Sequence, residues 1–581
     1  MFITNVSFSG VSSINSVKKS PVTSVSLKHD TFEKSAYNPQ NFTAQLESYK
    51  DKKGKPVYNK QHITEIVGNV NKNPEKYDAI RNMAALPNTK GKELVKLSML
   101  NVDKLNVLNE YALTKNNKGT AKYSGNQILK LSSLTVPDLQ RVKPLSNTTL
   151  RADQIVGISA DKNLNIEKLS KKVNEMENAC GKLTLDKVSF KKDVYDPENA
   201  YVLTGTMITG REKSELLDKN LNRLAISETT TYTSDKNKEY IITKTNDYRN
   251  NTTSKVRSYV DKDGYPIVEN QVRIVRDKNG KVQKTEYMAP SEVKGVFDIK
   301  YVYPNGKEEQ ISSGKIDKKT GIVSVKRDMK SLDGTRTEYL YENDPQGNRI
   351  IDYKITDENG KQLLKYSQTL EVIDDNKFIT SKNDKSYEVS VSQDKNIMTV
   401  KDLKTEKENK LNLGSMLRGD KVSMLNLLKK FPGEELIALK DVTNILKGMK
   451  KMDDCCYWPD KKEIDVVDDL YSVLHELGHA KDYKNGGHGI TAKKDVQEVF
   501  DKERNAFNKA FPNAQREHIN YFIDVEEHYS GFRGGLEETV AESNALLNSY
   551  NGELDIAARS QYLQQYFPKT IAKLAEHLYN T

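Results

Sequence analysis

The feature that most constrains the fold of this chain is a series of glycine turns in its middle. Asn-Gly or Asp-Gly pairs stand at 263–264, 279–280, 305–306, 333–334 and 359–360, and Gly321, Gly334, Gly347 and Gly360 are each 13 residues apart. Such pairs supply the positive φ angles of tight hairpin turns. Strand-forming residues alternate along the segments between them, as in Thr337, Tyr339 and Tyr341. Residues 226–400 are therefore predicted to form an antiparallel β meander of hairpin repeats.

The segments on either side of this meander have a helical period. Between residues 61 and 225 apolar residues recur with helical spacing, and the segment 97–105 recurs as 131–139, which suggests helical repeats. The helical period returns near residue 405, with Leu411 and later Leu446, and is interrupted by a strand–turn–strand pattern at 455–467. Residues 1–60 are polar and loosely patterned, which predicts a disordered tail and linker.

The predicted fold class is therefore multidomain α+β. Behind the tail we expect a mainly helical domain at 61–225, the β-repeat domain at 226–400, and a mainly helical domain with a small sheet at 405–581. The net charge of +10 is unevenly distributed, because residues 452–581 hold 14 Lys and Arg against 23 Asp and Glu. A basic front and an acidic back indicate separate modules with different partners.

Composition excludes several classes of protein. The chain has 581 residues but only three cysteines, too few for a disulfide framework. No stretch approaches the roughly 18–20 apolar residues that cross a bilayer, so we expect no membrane span. The basic residues do not cluster with aromatic ones, so we expect no binding of nucleic acid.

The amino terminus lacks the apolar run of a secretory signal. Residues 1–29 contain three lysines and no acidic residue, and they resemble the unstructured export segments that bacterial injection systems use. We expect a secreted or exported protein without a recognisable signal peptide, and a cytoplasmic one if that interpretation is wrong.

Histidines concentrate near the carboxyl terminus, where six of the eight lie in the last 107 residues. Two of them form His475-Glu476-Leu477-Gly478-His479. Positions i and i+4 share one face of a helix, so both imidazoles can reach one metal ion. The apolar positions around the motif follow helical spacing, which predicts that it lies on a helix.

A catalytic zinc ion needs a third protein ligand and one open position. A third histidine six residues after His479 is absent, because Asn485 stands there. His488 comes three residues later in a glycine-rich segment, and we interpret it as a loop histidine.

A better third ligand lies on the helix predicted at 536–547. Glu538 and Glu542 are i and i+4 on one face of it. The first is predicted to bind the metal, and the second to accept the other ring N–H of a ligand histidine. Glu537 has Ala541 at i+4 and is the second choice for the ligand.

The segments 473–480 and 538–542 together resemble the gluzincin metallopeptidases, and most of all the family of the anthrax lethal factor catalytic domain. The resemblance covers roughly residues 405–581 and implies a zincin-like fold there. It implies one catalytic Zn²⁺ with three protein ligands, His475, His479 and Glu538. It also makes Glu476 the base and assigns a tyrosine before the ligand glutamate to the oxyanion. Tyr529 is the nearest counterpart, and His528 is the alternative.

These features predict a zinc-dependent metalloendopeptidase that acts on a protein or peptide, in an exported toxin- or effector-type protein. The substrate is expected to lie as an added strand along one edge of the 455–467 hairpin. A different interpretation stays open: a repeat-built binding or surface protein, whose β repeats contact a protein or surface partner. Its zincin domain would then be inactive or only self-processing.

Overall fold

The structure, a computed structural model, describes most of the chain between residues 37 and 579. The described residues are 37–51, 53–116, 119–181, 184–193, 198–234, 238–261, 266–447, 456–466, 470–484, 487–510, 527–528, 532–549 and 554–579. The predicted export segment at 1–29 lies outside them. The chain divides into two compact units. The amino-terminal unit comprises the described residues within Asn5–Thr233 and Thr243–Tyr248, and the carboxyl-terminal unit those within Ser234–Ile242 and Arg249–Thr581.

The amino-terminal unit begins with a run of helices, so the predicted helical region is confirmed. The α-helices are Pro39–Ser48, Lys60–Lys72, Tyr77–Ala84, Gly91–Ser98, Val102–Ala112, Gly125–Leu131, Val136–Val142, Ala152–Ser159 and Ile166–Cys180, with 3₁₀ turns at Pro74–Lys76 and Lys143–Asn147. Asn101, Ser124 and Asn165 each accept a backbone N–H bond at a helix start, as N-cap residues do. Each of the five α-helices from Lys60–Lys72 to Gly125–Leu131 packs against the second α-helix after it, as stacked helix pairs do.

The limits of this helical region differ from the prediction. Helix Pro39–Ser48 lies within the segment 1–60, which was predicted to be a disordered tail and linker. It is part of the folded unit because Phe42 and Leu46 are fully buried in the core. The last helix of this run ends at Cys180, and the first strand begins at Leu185. Both positions lie inside the range 61–225, which was predicted to be mainly helical. The alternate residues Val188 and Phe190 of the first strand pack into the same core as the helices.

Eighteen strands then form one antiparallel sheet in which each strand is a neighbour of the next, so the predicted meander is confirmed. The strands are β1 Leu185–Lys192, β2 Ala200–Met207, β3 Arg211–Asp218, β4 Arg223–Thr233, β5 Glu239–Asp247, β6 Thr252–Val260, β7 Pro266–Arg276, β8 Val282–Pro290, β9 Phe297–Val302, β10 Glu308–Ile316, β11 Val323–Lys330, β12 Arg336–Asn343, β13 Arg349–Thr356, β14 Gln362–Asp374, β15 Lys377–Lys382, β16 Lys385–Val391, β17 Ile397–Asp402 and β18 Glu408–Asn412. Leu411 lies on strand β18, so the prediction that the helical period already includes this residue was wrong.

Several turns of this sheet share one conformation. Gly280 and Gly360 have φ of 81° and 82°, whereas the Asn before each is not in the left-handed region. These are therefore longer loops closed by a left-handed glycine rather than two-residue turns. In the first loop the Asp277 carboxylate accepts the backbone N–H groups of Asn279 and Lys281.

The carboxyl-terminal unit continues with helices and short strands. Its later helices are Leu413–Met416, Lys421–Leu428, Gly433–Ala438, a 3₁₀ turn at Leu439–Asp441, Leu470–Asp482, Lys494–Ala510, Gly534–Asn548, Leu554–Tyr566 and Pro568–Tyr579. Its later strands are β19 Leu417–Gly419, β20 Asn444–Lys447, β21 Cys456–Trp458, β22 Glu463–Val466, β23 Tyr483–Lys484, β24 Gly487–His488, β25 Glu527–His528 and β26 Phe532–Arg533. The small sheet has the order β19-β20-β22-β21, in which the last two strands form the predicted antiparallel hairpin.

The helices of this unit share their core with the long sheet. Tyr353 and Ile355 on β13 belong to one buried cluster with residues of the last four helices, such as Val540. Phe378 and Val389 on β15 and β16 belong to another, which includes Leu474 and Leu477. The repeat strands therefore supply part of the core around the helices that carry the candidate ligands. Among the described residues, no helix is long and apolar enough to cross a membrane.

Candidate metal centre

Two helices of the carboxyl-terminal unit carry the candidate ligands. Leu470–Asp482, here the histidine helix, holds the His-Glu-Leu-Gly-His motif, and Gly534–Asn548, here the glutamate helix, holds the predicted carboxylates. They meet at Gly478, where a Cβ atom would lie 2.6 Å from the Cα of Ala541. A side chain cannot approach backbone that closely, so glycine is required for this contact.

Three predicted ligands converge on one point. The Nε2 atoms of His475 and His479 lie 3.1 and 3.6 Å from the same oxygen of Glu538. All three ligand atoms lie within 4.8 Å of one another. Ligands at 2.0–2.2 Å from a tetrahedral zinc ion stand about 3.3 Å apart. Two imidazoles and a carboxylate at these separations therefore fit a zinc ion, and His₂Glu is a known catalytic donor set.

Glu542 lies behind the first ligand, as the i, i+4 spacing indicates. Its carboxylate is fully buried and stands 3.3 Å from Nδ1 of His475. The other carboxylate oxygen accepts the hydroxyls of Tyr471 and Ser560 at 2.7 and 2.8 Å. These bonds fix the carboxylate, which in turn fixes the ring orientation of His475 and directs Nε2 at Glu538.

The electrostatics of the centre favour charge pairs in the absence of an ion. Burial alone would lower the pKa of His475, but hydrogen bonds to Glu538 and Glu542 outweigh it and raise that pKa to about 10. Burial is likewise outweighed at His479, whose pKa is raised by the charge of Glu538. Burial would raise the pKa of Glu538, yet the two histidines hold it well below its usual value. A divalent cation would replace the protons of these histidines.

The three ligands open into a cleft of about 340 Å³. Glu476 lines it beside the ligands, with 8 % of its surface exposed. Cys456, Tyr457 and Pro459 line it from the small sheet. There β21 is the terminal strand and pairs, among the described residues, with β22 only. The cleft can therefore hold a reactant beside both the ligand set and a carboxylate.

His488 is a cleft residue that the sequence interpretation missed. Its Nδ1 lies 2.7 Å from Asp482, and its Nε2 lies 3.2 Å from Glu537. Hydrogen bonds from His488 and Thr491 outweigh the effect of burial and lower the pKa of Asp482. Glu537, the alternative ligand, pairs with His488 by this contact, and burial raises the pKa of its carboxyl.

The predicted oxyanion residues lie outside this described set: Tyr529 is not among the described residues, and neither is the side chain of His528. Cys455, predicted beside the cleft, also lies outside them, whereas its neighbour Cys456 is a half-buried thiol in the cleft wall. The residues brought together are thus His475, His479, Glu538, Glu476 and Glu542.

Comparisons with known proteins assign no family to the chain. Neither the models of protein families nor the curated protein sequences give a match. The side chains of the two ligand-bearing helices therefore provide the indication of function.

Proposed function

We propose that this chain is a zinc-dependent metalloendopeptidase of the gluzincin type. The observation that carries the proposal is the convergence of His475, His479 and Glu538, in one cleft with Glu476. The donor set and the order of its residues along the chain support it, because a catalytic zinc site has three protein ligands and an open position. The resemblance of these segments to the lethal factor family supports the same assignment.

Each residue has a role in peptide hydrolysis. A zinc ion held by the three ligands would supply a Lewis acid that activates water and polarises the scissile carbonyl. Glu476 accepts a proton from the attacking water as the new C–O bond forms. It returns that proton to the nitrogen as the C–N bond breaks. Tyr529 donates a hydrogen bond to the developing oxyanion, a contribution on the order of 3 kcal/mol.

The substrate is a protein or peptide that adds a strand along β21. Main-chain hydrogen bonds to an edge strand supply affinity, and side-chain pockets supply selectivity. The cleft is lined by four carboxylates, including Asp482 and Glu537, and by no Lys or Arg among the described residues. This charge favours basic substrate segments by steering their approach. Equal cleavage of matched Lys-rich and Glu-rich peptides would contradict the preference.

The metal assignment is tested by two neighbouring variants. Wild-type protein should hold one zinc ion per chain by elemental analysis, Glu538→Gln should lose it, and Glu537→Gln should retain it. Zinc retained by Glu538→Gln but lost by Glu537→Gln would transfer the ligand role to Glu537. The base is tested by Glu476→Gln, which should keep its zinc and lose cleavage of a peptide library by about 10²–10⁴-fold. Undiminished cleavage would remove Glu476 from the mechanism.

A further inference from the structure

A second cluster of polar side chains joins the same two helices without lining the cleft. It consists of Glu435, Lys481, Asn544 and Asn548, here the anchor cluster. Lys481 is 7 % exposed, and the other three side chains are fully buried. Burying charged and amide groups costs free energy unless they are hydrogen-bonded, so such a cluster calls for an explanation beyond packing.

Glu435 is the centre of the anchor cluster. One of its oxygens accepts Nζ of Lys481, on the histidine helix, at 2.5 Å. The same oxygen accepts Nδ2 of Asn548 at 3.2 Å, and the other accepts Nδ2 of Asn544 at 3.3 Å, both on the glutamate helix. A single carboxylate therefore contacts both ligand-bearing helices.

Glu435 is itself held by the long sheet. It lies on the short helix Gly433–Ala438, whose first N–H donates to the Thr380 hydroxyl of β15 at 2.9 Å. The neighbouring Glu434 forms an ion pair of 2.7 Å with Lys382 of the same strand. The carboxylate of Glu435 is thus fixed from the sheet side and reaches the two helices from there.

The contacts of the anchor cluster fall close to the metal centre along both helices. Lys481 is two residues after the ligand His479, and Asn544 is two residues after Glu542, the carboxylate behind His475. Asn544 also donates to the carbonyl of Leu474, the residue before His475, at 2.8 Å, and accepts from Lys481 at 3.0 Å. These bonds therefore join the two helices next to the residues that carry the ligands.

We propose that Glu435 is a positioning residue of the metal centre, which sets zinc affinity by fixing the two helices against each other. Metal–ligand distances tolerate deviations of only about 0.2 Å, so small helix shifts have a large effect on binding. This inference rests on the proposed function in one respect, that His475, His479 and Glu538 bind zinc.

The test measures zinc affinity and stability separately in the full chain. Zinc affinity comes from competition with a chelator, coordination geometry from the visible spectrum of the Co²⁺-loaded protein, and stability from thermal unfolding of the metal-free protein. Glu435→Gln should weaken zinc binding by about 10–100-fold, as loss of outer-shell partners does, and should alter the Co²⁺ spectrum.

Two further variants separate positioning from stability. In Glu435→Leu/Lys481→Met the buried ion pair is replaced by apolar groups, which often restores stability. Zinc affinity should stay low there, because the bonds to Asn544 and Asn548 are lost. The control is Glu503→Gln. Glu503 is another buried glutamate, and its carboxylate accepts the backbone N–H groups of Lys569 and Thr570 at the start of helix Pro568–Tyr579. It should lower the melting temperature and leave zinc affinity unchanged.

Three results would overturn the inference. The first is unchanged zinc affinity in Glu435→Gln, and the second is zinc affinity that follows the melting temperature across all variants, control included. The third is full recovery of zinc affinity in the double variant. If the unaltered protein binds no zinc, the proposed function fails with it, and the wild-type titration alone reveals that outcome.

Discussion

The two units of the molecule use buried polar groups in different ways. In the amino-terminal unit the buried Glu177 accepts the N–H of Thr149, and the buried Glu215 pairs with Arg223, whose side chain is 36 % exposed. In the carboxyl-terminal unit both partners of a charge pair can be buried, as Lys481 and Glu435 are. A partner near the surface can adjust its position, whereas two buried partners on different elements require one relative placement of those elements. A centre with three converging ligands needs that placement.

Removing the long sheet should unfold the helices that carry the ligands. The fragment 405–581 lacks Tyr353, Ile355, Phe378 and Val389, which are buried among its helices. Each such side chain contributes about 1.5–3 kcal/mol, against a total stability of about 5–15 kcal/mol. We expect this fragment not to unfold cooperatively and not to bind zinc. The fragment 249–581 should do both, as judged by circular dichroism and zinc titration.

A cooperatively folded 405–581 fragment with one bound zinc would show that the sheet is dispensable. Among the described residues, the shared core of helices and strands in the amino-terminal unit would then have no counterpart in the carboxyl-terminal unit. This outcome would also show that the contact with β15 is not needed for Glu435 to hold the two ligand-bearing helices together.

The contact between the two ligand-bearing helices gives the next largest effect. Gly478→Ala places a methyl group 2.6 Å from the Cα of Ala541, and backbone cannot yield as a flexible side chain can. Overpacking of this kind costs about 1–3 kcal/mol. We expect a lower melting temperature together with weaker zinc binding, measured by calorimetry and by chelator competition. An Ala variant with wild-type zinc affinity would mean that the helices can separate without moving the ligands.

Local spacing predicted much of this centre but not the anchor cluster. His475, His479, Glu538 and Glu542 were predictable because i, i+4 positions share a helix face whatever the rest of the fold does. Glu435 carries no local signal, because the burial of a charge depends on its partner, here Lys481, 46 residues away. No periodicity within one segment can indicate such a pair.

Two further departures have local explanations. Leu446 continues a helical spacing, yet it lies on β20, which pairs in parallel with β19 and β22, so tertiary pairing overrides the local preference. His488 returns to Asp482 through the hairpin of β23 and β24. In the sequence, Asn485-Gly486 is a common signal for a two-residue hairpin, and that signal would have predicted the return of His488 toward Asp482.

Glu542→Gln tests whether the buried carboxylate directs its ligand. A glutamine cannot accept the N–H of His475 and both hydroxyls with the same geometry, so the orientation and tautomer of the ring are no longer fixed. We expect zinc affinity to fall by about 10–100-fold, with the metal-free fold retained. Ser560→Ala is the matched control, because it removes one donor to Glu542 and leaves the contact with His475 intact; it should cost less affinity. Equal affinity in wild type and Glu542→Gln would reduce the carboxylate to a packing role.

The raised pKa of His475, about 10, predicts the pH dependence of the metal-free and loaded protein. Below that pKa zinc must displace a proton, so affinity should rise about tenfold per pH unit for each proton displaced. The metal-free protein gains stability from this histidine that is complete below about pH 6.5 and is lost as the pH rises toward 10. Zinc titrations at pH 6, 7 and 8, and unfolding at pH 7 and 9, check both. A pH-independent affinity would show that the site is not protonated.

The smallest effect is expected in the amino-terminal unit and has the opposite sign. Gly157 lies inside helix Ala152–Ser159, and a Cβ there would meet no atom within 4 Å. Since alanine is favoured over glycine within a helix, Gly157→Ala should stabilise the protein by about 0.5–1 kcal/mol and leave zinc affinity unchanged. Thermal unfolding and the chelator assay measure the two effects, as for Gly478→Ala. Glycine-to-alanine substitution thus has opposite effects at the two positions, because Gly157 has open space beside it and Gly478 lies against the backbone of a neighbouring helix. A destabilised Gly157→Ala would remove that distinction between the units.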